Sequence, residues 1–166
     1  MKIAPRLLAY GVAAAIFLAD RVSKELIRAH VTLWDTLPVI PGFFNVVHAE
    51  NPGAAFGILA DSKSEWRTFF LFGLSLIILV LVAAALWHPS GNGFGGAGVR
   101  MGLSLVLGGA LGNMFDRIAH GTVTDFLDLY IGSYHWPAFN VADSAITVGA
   151  GLLLLDLWRS RHKAAA

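Results

Sequence analysis

The 166-residue chain is 56% hydrophobic and 14% charged, which is too apolar for a soluble domain and indicates a membrane protein. Twelve basic against eleven acidic residues give a net charge of +1, without the basic surplus that a nucleic-acid partner requires. There is no cysteine, so disulfides, thiolate metal sites and a cysteine nucleophile are excluded.

The first apolar segment, residues 7–19, follows Lys2 and Arg6 and has the basic start and small residues of a secretory signal peptide. Its pattern nevertheless continues past Asp20, with Val22, Leu26 and Ile27 apolar and with Asp20 and Lys24 four apart on one face. A helix over about 7–29 is therefore expected. The connection that follows, 30–67, is too long to be a mere link. Within it, residues 36–48 hold β-branched and aromatic residues broken by Pro41 and Gly42, which predicts short strands around a turn. Asn51, Pro52 and Gly53 form a further turn signal ahead of the apolar stretch 54–59.

Residues 68–87 are uncharged over about 30 Å of helix, the thickness of the bilayer hydrocarbon. Ser62 and Glu65 have capping-box spacing before this span, and Trp66 and Trp87 sit where interfacial aromatics belong. A third span over about 99–115 carries Gly98, Gly102, Gly108 and Gly112, small-xxx-small spacings that allow close helix contact and predict a central position. The fourth, about 141–158, has Asp143 near its start and Asp156 near its end. The expected fold is mainly α and integral to the membrane. It has four transmembrane helices and a small extracytoplasmic β-sheet between helices 1 and 2, in a single domain. Basic residues divide equally between the two sides, and the compact tail of Arg159, Arg161 and Lys163 favours cytoplasmic termini.

With that orientation Asp20, Asn51, Asp125 and Asp143 share the outer level. An ionisable group at or inside a bilayer costs a few kcal/mol and calls for a partner, a polar cavity or a task. Two carboxylates held close share one proton, because both cannot readily ionise in a low dielectric, and so supply an acid and a base together. That is the chemistry of an aspartic peptidase acting through water. The bland alternatives are helix caps: Asp143 at a helix start, and Asp125 three residues after Thr122. Asn113 and Arg117 read as a polar face, and Asp116, Asp128 and Asp156 as solvated or snorkelling. The glycine-rich GNGFGGAG joins two spans and follows no strand, which excludes a dinucleotide fingerprint. The six histidines show no paired-ligand spacing, so neither metal nor cofactor is expected. Rival readings are a small proton- or ion-coupled transporter and a non-enzymatic assembly factor built on the glycine-rich helix.

Five blocks in order, DRVSK, NPGAAFG, GGALGNMFDR, VTDF and FNVADS, resemble the bacterial lipoprotein signal peptidases, or type II signal peptidases. Thr124 is a small departure, since a branched aliphatic residue is usual before that aspartate. The resemblance implies Asp125 and Asp143 as catalytic aspartates. It implies Asn51, Gly53, Asn113, Arg117 and Asn140 as substrate-binding or site-orienting residues, and Asp20 and Lys24 as structural support. It further implies an endopeptidase of the bacterial inner membrane with its site at the outer face. The implied partners are membrane lipids and prolipoproteins whose cysteine already carries diacylglycerol, cut just before that cysteine. A monomer is the expectation.

Overall fold

The computed structural model describes residues 4–52, 65–87 and 96–164. Its elements in order are α1 (Ala4–His30), β1 (Thr36–Ile40), β2 (Phe44–Asn51), α2 (Glu65–Trp87), α3 (Ala97–His120), β3 (Val123–Ile131), β4 (Tyr134–His135) and α4 (Val141–Ala164). The fold is thus mainly helical with one small antiparallel sheet. Gly53, Ser62, the apolar stretch 54–59 and most of GNGFGGAG lie outside the described residues.

The third helix packs against all three others, as its glycines predict. Added side chains show why those positions stay small. A Cβ at Gly102 would lie 2.8 Å from Gly149 O, and one at Gly108 or Gly112 would overlap Ala13 or the Asp20 carboxylate. The apolar core between α1, α2 and α3 is correspondingly fine-grained, made of Ala9, Ala13, Leu79, Leu86, Val99, Leu103, Leu107 and Ala110. Outward faces carry Ile77, Val80, Leu81, Leu154 and Leu157, all exposed, the arrangement expected where the surrounding solvent is hydrocarbon. Among the described residues, Val141–His162 is the one helix long and apolar enough to cross a membrane by composition alone, and Gly73–Trp87 is a shorter apolar helix.

The sheet is larger than the sequence suggests. The expected hairpin forms, with Gly42 at φ 82° in its turn, but β2 also pairs antiparallel with β3, and β3 with β4, in the order β1-β2-β3-β4. The missed strand, VTDFLDLYI, shows no clean alternation because it buries Thr124, Asp125 and Asp128 alongside Val123 and Phe126. Its polar positions are occupied by partners rather than water, so the period-2 signature is lost. The register brings Ala49, Glu50 and Asn51 opposite Asp125, Thr124 and Val123. This places Asn51 beside Asp125 although 74 positions separate them.

One alternative falls away and two expectations are corrected. Asp125 lies within β3 rather than capping a helix. Asp116 is fully buried and ion-paired rather than solvated, because α3 continues to His120 and turns it towards α1. Asp128, also buried, accepts from Asn45 Nδ2 at 2.8 Å and pairs with His135 at 2.9 Å. Asp156, half-buried, lies near Gly96 at the start of α3, where the helix dipole favours a negative charge.

Candidate active site

The site is built where the C-terminal end of α3, the first turn of α4 and strands β2 and β3 meet. Asn140 organises it from just outside α4. Its Oδ1 accepts the Asp143 backbone N–H at 2.8 Å, the bond of a helix N-cap. An accepting atom on that side leaves the amide nitrogen for the other, where Nδ2 donates to Asp125 Oδ1 at 2.7 Å. One fully buried side chain therefore ties both aspartates together. Asp143 is not the cap but sits in the first helical turn.

Asn113 performs the matching task from α3. Lys24 Nζ, which can only donate, approaches Asn113 Oδ1 at 3.0 Å. That contact fixes the amide's direction, and Asn113 Nδ2 donates to Asp143 Oδ1 at 2.7 Å. Lys24 is fully buried, and it completes its three donors with Asp20 and Asp116, each at 2.8 Å. Asp20 in turn accepts the Ala142 N–H at 2.9 Å, so the α1 ion pair also holds the start of α4. Asp116 is further satisfied by Arg21 and by Arg28 at 3.1 Å. Breaking such a buried charge cluster by removing one partner costs about 3–5 kcal/mol.

Asp125 receives a second hydrogen bond from Asn51 Nδ2, at 2.9 Å on Oδ2, and is 3% exposed. Burial, followed by the negative charge of Asp143, pushes its carboxyl up to about 7 against the two amide donors, which favour the charged form. Asn140, which also donates to Asn113 Oδ1 at 3.3 Å, and Asn113, which donates to Asp143, put the two aspartates in one neighbourhood. Arg117 Nη1 reaches the Asn113 carbonyl at 3.4 Å, and its guanidinium is attracted first by Asp143 and then by Asp125. Behind the dyad strand, burial opposes the charge of Glu50. Hydrogen bonds from Thr122, Thr124 and His48 and the Arg28 guanidinium outweigh it, holding this carboxyl below the usual range. Thr124 donates to Glu50 at 2.8 Å, so the hydroxyl at the departing position has a defined partner.

Asp143, Asn113 and Arg117 line a cavity of about 540 Å³ whose other walls include Leu74 and Ile78 of α2 and Trp136. An apolar cavity with a few convergent polar groups is the usual form of a binding site. Among the described residues, no group of three or more His, Asp or Glu is arranged to hold a metal. All the expected site residues within the described part converge: Asn51, Asn113, Arg117, Asp125, Asn140 and Asp143 directly, and Asp20 and Lys24 one layer behind. Gly53 lies outside the described residues. The supporting roles of Asp116, Arg21 and Arg28 escape the sequence reading. Their signal is the run Arg21, Lys24 and Arg28 at helical spacing on an otherwise apolar helix, which calls for a carboxylate on the facing helix.

A mainly helical scaffold thus holds two carboxylates joined through a shared asparagine, with Asp143 on the wall of an apolar cavity. The description of the signal peptidase (SPase) II family matches residues 12–159, and the chain belongs to that family. It is 55% identical over 157 residues to the lipoprotein signal peptidase of Solibacter usitatus, covering 95% of this chain and 94% of that one. The corresponding enzyme of Syntrophotalea carbinolica is 44% identical over 167 residues, covering 99% and 100%. Among solved structures, a bacterial membrane enzyme determined by the in meso method at 2.3 Å resolution superposes with a TM-score of 0.81. It is 32% identical, with 96% of this chain and 90% of that one covered. The family is one of bacterial inner-membrane peptidases.

Proposed function

We propose that the protein is an intramembrane aspartic endopeptidase that releases the signal peptide from diacylglyceryl-modified prolipoproteins by cutting just before the lipidated cysteine. Family membership supports the removal of signal peptides from prolipoproteins. The aspartic assignment is carried by one observation: the Asn140 amide holds the Asp125 carboxylate at one end and the Asp143 backbone at the other. Asp125 and Asp143 act as a pair sharing one proton. The ionised member takes a proton from water as its oxygen attacks the scissile carbonyl, while the protonated member donates to the carbonyl oxygen. The tetrahedral species then collapses, the C–N bond breaks and the leaving amine takes a proton from the pair. Asn113, Asn140 and Arg117 orient the pair, Asn51 and Gly53 hold the substrate backbone, and Asp20 and Lys24 brace the helix ends.

The membrane arrangement follows from the same reading. All four helices cross the bilayer, with both termini in the cytoplasm under the basic tail at Arg159 and Arg161 and with the sheet and dyad at the outer face. The enzyme works as a monomer whose exposed apolar faces meet lipid. A diacylglyceryl peptide then reaches the apolar cavity by lateral diffusion, and water reaches the carboxylates from outside. Purified protein in detergent, incubated with a diacylglyceryl precursor, is expected to give two fragments whose masses place the cut on the N-terminal side of the modified cysteine. An intact precursor, or a cut elsewhere, would overturn the assignment.

A further inference from the structure

The geometry points to a second binding region: a cavity of about 450 Å³ across the outer sheet that receives the residues after the scissile bond and favours basic over acidic side chains there. This rests on the peptidase reading above. The cavity runs from Trp34 and Thr36 at one edge of the sheet to Asp128 of β3 and to Trp136 and Ala138 beyond β4. Trp136 and Ala138 also line the cavity that holds Asp143. The two spaces are therefore separated by one extended segment, fastened to β3 by Trp136 N–H to Leu129 O at 2.8 Å and Phe139 N–H to Leu127 O at 3.0 Å. An extended residue covers about 3.3–3.6 Å and neighbouring strands lie about 4.8 Å apart, so two or three residues suffice to pass this wall.

The lining of the second cavity has a consistent chemistry. Asp35 and Asp128 both face it, and among the described residues no lysine or arginine lines it. Asp128 is held ready by Asn45 and His135, while Asp35 is exposed. The second lining histidine, His48, is engaged by the Val31 carbonyl at 2.8 Å and by Glu50 at 3.2 Å. Trp34 has a φ of 70°, the left-handed region that a bulky residue rarely adopts, at a cost on the order of 1–3 kcal/mol. The conformation is fixed by Trp34 N–H to His48 O at 2.8 Å, and it leaves the side chain 69% exposed on the cavity lining. Two indoles and two carboxylates attract a cation through both its charge and the ring faces, and they repel an anion.

The test uses three diacylglyceryl precursors that differ only in the second and third residues after the modified cysteine: Lys-Lys, Asn-Asn and Asp-Asp. Wild type is expected to rank them in that order, with about a tenfold span in kcat/KM carried by KM. Asp35→Asn and Trp34→Ala should each narrow the span to roughly threefold. The ratio is taken within each variant, so a general loss of activity does not disturb it. Equal values across the wild-type series, or an unchanged span in both variants, would overturn the proposal while the peptidase reading stands. Failure to cut any precursor would overturn that reading, and this one with it.

Discussion

Asp125→Asn and Asp143→Asn are each expected to lower precursor cleavage by about 10⁴-fold, on the scale of losing a member of a catalytic unit. Both replacements keep the volume of the side chain, but an amide accepts at one atom where the carboxylate accepts at two, and it can neither take nor give the proton. Substrate affinity should survive, because the apolar cavity walls are untouched. The Asp125 variant also carries a stability signature. Its carboxyl stands near 7 in the folded protein against 3.8 for an unperturbed aspartate, so the folded state binds the proton more tightly. Stability from this group is complete below 3.8 and is lost as pH rises through about 7, where ionisation inside the buried site must be tolerated. Asp125→Asn escapes that loss. Its melting temperature should gain on the wild type between those two pH values, and one that falls behind at high pH would show that the carboxylate is instead stabilised by its surroundings. The amide at position 125 has one unfavourable meeting, its nitrogen against a donor. Asn140 cannot turn to relieve it without giving up the helix cap.

Lys24→Met is the second large effect, although Lys24 touches neither aspartate of the dyad. Removing the ammonium leaves Asp20 and Asp116 buried without their shared partner, which costs about 3–5 kcal/mol of stability. Asp116 keeps Arg21 and Arg28, whereas Asp20 keeps only the Ala142 N–H among the contacts described above. A second consequence is specific to function. Without Lys24 only the longer bond from Asn140 Nδ2, at 3.3 Å, still asks Asn113 to present its oxygen, so the amide's donation to Asp143 is held less firmly. The expected result is a fall in kcat of roughly 10–100-fold at unchanged KM, measured below the variant's melting temperature. A loss confined to melting temperature, with kcat intact, would assign Lys24 to bracing alone. Asn113→Leu, which removes the amide but not the ion cluster, should reproduce the kcat effect with a smaller loss of stability.

The parts of this fold written in local periodicity were legible in the sequence: the four helices, the hairpin around Pro41 and Gly42, and the close packing of α3 through its glycines. The extra strand β3 was not, because it carries the site. A strand that buries Thr124, Asp125 and Asp128 violates the alternation by which strands are recognised, and its partners lie in β2, distant in sequence, as well as in the preceding α3. The same reason explains Asp116. Seen alone at the end of an apolar helix it resembles a surface residue, and only the facing Arg21, Lys24 and Arg28 of α1 reveal it as buried. Asp125 and Asp143 stood out because charged residues are scarce beside such apolar sequence, and the order of the five sequence blocks made the pairing specific. What the sequence could not supply was the bridge, since an asparagine capping a helix and an asparagine holding a carboxylate are the same residue until its two ends are seen.

The central claim is that Asp125 and Asp143 share a proton, and a difference infrared titration of the carboxyl band tests it most directly. Wild type is expected to lose one carboxyl signal with a midpoint near pH 7. That signal should be absent in Asp125→Asn and should move to lower pH in Asp143→Asn, where the neighbouring negative charge is gone. A signal at the same pH with and without Asp143 would mean that the two carboxylates do not sense each other, and the dyad would have to be abandoned.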